Sequence, residues 1–122
     1  MARYQGALSV QAFFSRFSRQ DYRKTFFQAF PDLEGQVWVH HAVEQQALTR
    51  YAGVITEAEI NSLANLRGIP NGINPQVHLS EIRKLWDQFY KNHQTATKEQ
   101  LLEQAKKIDD LFGSQFDPPI RQ

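Results

Sequence analysis

Cysteine is absent from the 122 residues, which removes disulfides, thiol nucleophiles, Cys-ligated zinc and iron–sulfur clusters in one step. Any metal would have to sit on His, Asp, Glu, Asn or carbonyl oxygen. Long hydrophobic runs are also missing: the apolar stretches reach only a few residues, far short of the roughly 20 that a membrane-spanning helix needs. The N-terminus shows neither the apolar stretch nor the cleavage site of a secretory leader. Nor is there an excess of one charge, and a formal net charge of +1 excludes a strongly basic, histone-like binder. No internal repeat or low-complexity tract interrupts the chain. What is there, 41% hydrophobic and 22% charged residues, has the proportions of one globular domain spanning residues 1–122.

The near-neutral total hides a local asymmetry. Arg3, Arg16, Arg19, Arg23 and Lys24 face only Asp21 in the first thirty residues, whereas Glu57 and Glu59, and later Asp109 and Asp110, make acidic stretches. A basic N-terminal third is suited to a phosphate backbone; solvated helix faces account for the same charges.

Along the chain, Val10, Phe13, Phe14, Phe17, Tyr22, Phe26, Phe27 and Phe30 recur at spacings of three and four, which predicts one or two short amphipathic helices contributing core. After the turn residues Pro31, Asp32 and Gly35, the run Gln36-Val37-Trp38-Val39 is the best strand candidate. Helix-friendly residues follow from Ala42 to Arg50, and Thr56 with Glu59 makes a capping box that predicts a helix to about Asn65. Residues 66–75 hold two Gly, two Pro and two Asn, the composition of a shaped loop or of a tight hairpin around Asn71-Gly72.

Asn74 as cap and Pro75 at the first helical position open the strongest helix, which carries Val77, His78, Ile82, Leu85, Trp86, Phe89 and Tyr90. A last helix starts at the Thr97/Gln100 box, bears Leu101, Leu102, Ala105, Ile108, Leu111 and Phe112, and stops at Gly113. The tail through Asp117-Pro118-Pro119 reads as irregular.

The residues with chemistry in them are histidines. His40-His41 ends the strand candidate and His78 opens the strong helix. A one-metal nuclease needs a neutral imidazole to deprotonate water, a cation to stabilise developing charge, and side chains to hold that cation. Strand-end, loop and helix-start positions can supply all three. Neighbours on a regular strand point to opposite faces, so His40 and His41 share one site only if the chain bends where the strand ends. Taken singly, a histidine is more often a hydrogen-bonded surface or core residue than a ligand; the doubled pair is the more specific feature. Trp86, Phe89 and Tyr90 follow Ile82 on one helix face and read as core, as does Trp38; Glu44 reads as a surface residue or as a partner for an imidazole. His93 lies some four turns beyond His78 and is left out of the site.

The stretch Val37-Trp38-Val39-His40-His41-Ala42-Val43-Glu44-Gln45-Gln46, the segment Glu59-Ile60-Asn61-Ser62-Leu63-Ala64-Asn65-Leu66-Arg67-Gly68-Ile69-Pro70 and the run His78-Leu79-Ser80-Glu81-Ile82-Arg83-Lys84-Leu85-Trp86-Asp87-Gln88-Phe89-Tyr90 resemble the HNH-like (His-Me finger) nuclease domains at the C-termini of bacterial polymorphic toxins of the Rhs and contact-dependent inhibition type. The resemblance covers residues 36–93, about half of the chain. It implies an α+β, mostly α domain in which a small ββα-metal nuclease core is braced by N- and C-terminal helices.

In that pattern His41 is the general base, His40 and His78 are ligands of one divalent metal ion (Mg, Mn, Zn or Ni), and Asn65 braces the loop and orients the base through a hydrogen bond. The roles of His40 and His41 are open to exchange. The family's second helix histidine is missing, since Ile82 stands four residues after His78. Arg67, Arg83 and Lys84 are the candidate nucleic-acid contacts. The implied function is hydrolysis of DNA phosphodiester bonds by a secreted or delivered effector acting in the cytoplasm of a target bacterium, held in check in the producer by an acidic cognate immunity protein. Two other readings stand beside it: a metal-independent RNase using histidine acid/base chemistry, and a non-catalytic helical interaction module.

Overall fold

A computed structural model describes residues 22–120. They begin in a helix, α1, over 22–29, and a 3-10 turn at Pro31–Leu33 leads into strand β1, Val37–His41. Two single-turn helices follow, α2 at Ala47–Arg50 and α3 at Glu57–Ile60, then a 3-10 turn at Leu63–Asn65. Strand β2, Leu66–Pro70, passes through a 3-10 turn at Asn71–Ile73 into the long helix α4, Pro75–Asn92. Helix α5, Lys98–Phe112, and a last 3-10 turn at Gly113–Gln115 complete an α+β fold that is mostly α. The chain order around the sheet is β, β, α. Among the described residues no helix is long and apolar enough to cross a membrane.

β1 and β2 are antiparallel, with Val37 opposite Pro70 and His41 opposite Leu66. Opposed residues share a face of the ribbon. One face therefore carries Val37, Val39 and His41 with Leu66 and Gly68. It is covered by α1, whose Phe26 is 1% exposed and packs with Val37, Val39 and Leu66. The other face carries Trp38, His40, Arg67 and Ile69; Ile69 joins the main core beneath Ile82, Trp86, Phe89 and Tyr90 of α4 and Leu101, Ala105 and Ile108 of α5. A two-stranded ribbon is marginal alone, and here helices pack both faces. Gly68 is obligatory for this packing: a Cβ there would collide with the carbonyl oxygen of Asp117 and crowd Phe26 and Val37. The Asp117 N–H donates to the Gly68 carbonyl at 2.9 Å, so the C-terminal tail is tied across β2.

The two capping boxes form as predicted, Thr56 with Glu59 and Thr97 with Gln100. Several expectations are corrected. The helix after Thr56 ends at Ile60 rather than near Asn65, because the Ile60 carbonyl is taken by the Asn65 side chain at 2.8 Å. The helix-friendly run from Ala42 becomes helical only at Ala47, and the Ala42 and Val43 N–H groups bond Asn65 instead.

Residues 66–70 are a strand and not a loop, and no hairpin turns at Asn71-Gly72. The strands are joined instead by residues 42–65, and Asn71 closes the far end of the ribbon through bonds to the Gln36 and Gly35 carbonyls. Asn74 precedes α4 with φ +58°, a conformation Asn tolerates, but its side chain makes no cap. Trp38, expected in the core, is 42% exposed, and Val77, Leu102 and Leu111 are exposed too. Val10, Phe13, Phe14 and Phe17 lie outside the described residues.

Candidate active site

The last residue of β1 is His41, and its ring is buried edge-on to Tyr22 with centroids 4.3 Å apart. Its Nε2 lies 2.9 Å from Asn61 Oδ1. An amide oxygen accepts and cannot donate, so this contact makes Nε2 the protonated nitrogen and leaves the lone pair on Nδ1. Burial pulls the His41 pKa below its ordinary value, partly offset by the Asn61 hydrogen bond. The local cause is legible in the chain: the Thr56/Glu59 box fixes α3, and the single turn of α3 ends in Asn61 at its C-terminal cap.

His40 occupies the opposite face of β1. Its ring stands edge-on to Phe116 with centroids 5.4 Å apart, and its Nδ1 is enclosed without a hydrogen-bond partner. Burial, then the Arg67 guanidinium across the ribbon, then His41, push its pKa down to about 3. His40 is therefore a neutral imidazole at any physiological pH. His78, in the first turns of α4, is held by Gln115, whose Oε1 lies 2.6 Å from Nε2; its ring packs edge-on to Phe112, and its Nδ1 is likewise enclosed and unpartnered.

Asn65 is buried and bonds both ends of the segment that joins the strands. Its Oδ1 accepts the Val43 N–H at 2.8 Å, and its Nδ2 donates to the Val43 and Ile60 carbonyls at 3.1 and 2.8 Å. The side chain that touches the His41 ring is that of Asn61, so bracing and orienting are divided between two asparagines. Nothing in the sequence reading marked Asn61, because the helix opened by the Thr56/Glu59 box was expected to run past it to about Asn65, whereas it ends at Ile60 with Asn61 as its cap.

Arg67 is corrected as a phosphate contact. Nε and Nη2 grip both carboxylate oxygens of Asp109 at 3.0 and 2.8 Å, Nη1 donates to the Ala64 and Leu66 carbonyls, and the two side chains are only 12% and 7% exposed. That uses four of its five N–H donors inside the chain. Arg83 does stand at the site. It borders a cavity of about 330 Å³ whose walls also include Val39, His40, His41 and the Glu44–Gln46 turn. Its Nε is held at 2.9 Å by Glu44, and the side chain is 59% exposed.

Glu44, read from sequence as surface or as an imidazole partner, accepts from Arg83, from Tyr90 OH at 2.8 Å and from Gln46 Nε2 at 2.7 Å. It thus ties the turn after β1 to α4, and with burial it raises the Tyr90 pKa. Lys84 is an exposed residue paired with Glu81 and does not border the cavity. His93 stacks on Phe89 and bonds its carbonyl, away from the site as expected.

The donor chemistry suits a divalent ion in one respect: His40 and His78 each present an enclosed ring nitrogen with no partner, and the second nitrogen of His78 is anchored by an amide oxygen, the arrangement that orients metal-binding imidazoles. Among the described residues, no three of His, Cys, Asp and Glu gather closely enough to hold a metal by themselves. An ion on these two imidazoles would take its other ligands from water or from phosphate oxygens. Compared with known families, curated proteins and solved structures, the chain finds no match.

Proposed function

We propose that this domain is a metal-dependent endonuclease that hydrolyses DNA phosphodiester bonds. The observation that carries the reading is His41: a neutral imidazole whose tautomer is fixed by Asn61, on the wall of a cavity that Arg83 also borders. His41 takes a proton from water, and the water oxygen forms the new bond to phosphorus as the bond to the leaving oxygen breaks. Arg83, whose terminal nitrogens make no ion pair among the described residues, offsets the charge that gathers on the phosphate oxygens. His40 and His78 are the residues that would hold a divalent ion, which when bound supplies charge stabilisation at the phosphate. Phosphate contacts carry no sequence information directly, in keeping with the indiscriminate cleavage of a toxin. That delivery, and an acidic immunity protein covering the cleft, belong to the proposal through the family resemblance.

The test is plasmid nicking by the purified chain with Mg, Mn, Zn or Ni and with EDTA, beside His41→Ala. The expected result is cleavage that needs metal and falls by roughly 10²- to 10⁴-fold in the variant, with the fold intact by circular dichroism. Absence of cleavage from folded protein under every metal would overturn the reading, and cleavage of RNA that survives EDTA would replace it with the RNase.

A further inference from the structure

A second cavity, about 730 Å³, opens at the end of the ribbon remote from the histidines, and Arg23, Lys24 and Phe27 of α1, Glu34, Trp38 and Asn71 are among its walls. Trp38 is out of place by the usual logic of a strand. It is 42% exposed, while Ile69, its cross-strand partner, is fully buried. A large aromatic is ordinarily either covered or used. The two cations beside it have no ion-pair partner among the described residues, and against Glu34 they leave this wall with one net positive charge. An exposed indole bordered by free cations is the combination that binds single-stranded nucleic acid, in which a base stacks on the ring and the cations follow the backbone. β1 joins this groove to the candidate active site: His41 lies three positions beyond Trp38, about 10 Å along the strand and on the opposite face of the two-stranded ribbon, so a polynucleotide strand reaching both crosses the unpaired edge of β1.

We propose that this groove binds an unpaired nucleotide of the polynucleotide strand whose scissile phosphate lies at His41, with the base stacked on Trp38 and the backbone on Arg23 and Lys24. The inference rests on the nuclease reading for the position of the scissile phosphate. It adds a substrate preference: strands with an unstacked base next to the cleavage point are engaged better than uninterrupted duplex.

The two tryptophans make the test direct, because Trp86 is fully buried and Trp38 is not. The full chain in EDTA is titrated with oligothymidylate and, in a second arm, with oligouridylate, following tryptophan emission and the anisotropy of a labelled oligonucleotide. The expected result is quenching of the solvent-exposed emission only. Trp38→Ala weakens binding roughly 5- to 150-fold, and Trp38→Phe recovers most of the loss, with Trp86 emission reporting an intact fold in both. Arg23→Gln with Lys24→Gln lowers the slope of log affinity against log salt by about 1.4.

Binding by anisotropy with Trp38 silent, affinity in Trp38→Ala within about twofold of the parent, or no binding of either oligonucleotide overturns the groove. Quenching of Trp38 in a protein that cleaves nothing leaves the groove standing and removes the nuclease. Cleavage with Trp38 silent does the reverse. The tighter of the two arms tells which sugar the strand carries.

Discussion

Replacing Asn65 by alanine should unfold the loop that carries Asn61, the partner of the candidate base. The side chain is buried and serves three backbone groups: the Val43 N–H, the Val43 carbonyl and the Ile60 carbonyl. At about 1 kcal/mol of net stability per hydrogen bond, Asn65→Ala costs about 3 kcal/mol. That is a large share of the roughly 5–15 kcal/mol that holds a small domain together. With a urea m-value of about 1.5 kcal/mol/M, the midpoint falls by about 2 M with the slope unchanged. Amide exchange gives a local readout: the Val43 N–H, buried and bonded to Asn65 Oδ1 in the parent, is expected to be protected there and to lose that protection in the variant. Asn65→Asp is expected to cost as much near neutral pH, since it keeps the acceptor for Val43 but sets an anion against two carbonyl oxygens. A midpoint shift below about 0.5 M for Asn65→Ala, with Val43 still protected, would refute the argument that this one side chain shapes residues 42–65.

Asn61→Ala removes the acceptor on His41 Nε2; since that bond raises the imidazole pKa against burial, histidine NMR titration should find the His41 pKa lower still, and an unchanged or higher value would contradict it. The metal-free protein should lose stability in acid, because His40 takes its proton at about 3 when folded against 6.5 in the open chain. The unfolded chain is then the better proton binder throughout that window, and stability falls as pH drops from about 6.5 toward 3, by at most about 1.4 kcal/mol per pH unit from this group; urea midpoints at pH 7, 5 and 4 should show a slope that His40→Gln reduces. Arg67→Ala strands the buried Asp109 carboxylate and should cost about 3–5 kcal/mol, which Asp109→Asn in the same chain partly restores; a loss of DNA affinity at unchanged stability would return Arg67 to the phosphate-binding set.

The helices were legible where they carry their own local signals. Two capping boxes and the apolar spacing of Ile82, Trp86, Phe89 and Tyr90 depend only on neighbours in sequence, and the structure reproduces them. β2 was not legible for the opposite reason. Gly68 and Pro70 are turn-formers by composition, and here Gly68 answers a long-range demand, the approach of Asp117 and Phe26 to the strand. The exposure of Trp38 has the same origin: alternation along β1 puts it on the face of buried Ile69, but the helices that cover Ile69 do not reach the position opposite it. The extent of a neighbouring element is a tertiary fact, and no pattern within five residues of strand encodes it.

For the candidate site, alternation decided more than composition did. The sequence left open which of the paired histidines is base and which is ligand, and expected a bend to bring both to one place. The strand instead runs straight through His41, which still pairs with Leu66, so the two rings leave the ribbon on opposite faces. His40 emerges toward Phe116, in the same C-terminal turn whose Gln115 holds His78. His41 emerges toward Tyr22 and is held by Asn61. The division of partners argues for a division of labour in the proposed chemistry. The two imidazoles with enclosed, unpartnered nitrogens share the C-terminal turn and suit ligation, and the third, with its tautomer fixed by an amide oxygen, suits proton transfer. On that ground, His40→Ala should weaken metal binding while His41→Ala should leave metal binding in place and abolish turnover; calorimetric titration of both variants with Mn or Ni separates the two assignments, and equal loss of metal affinity in both would undo this one.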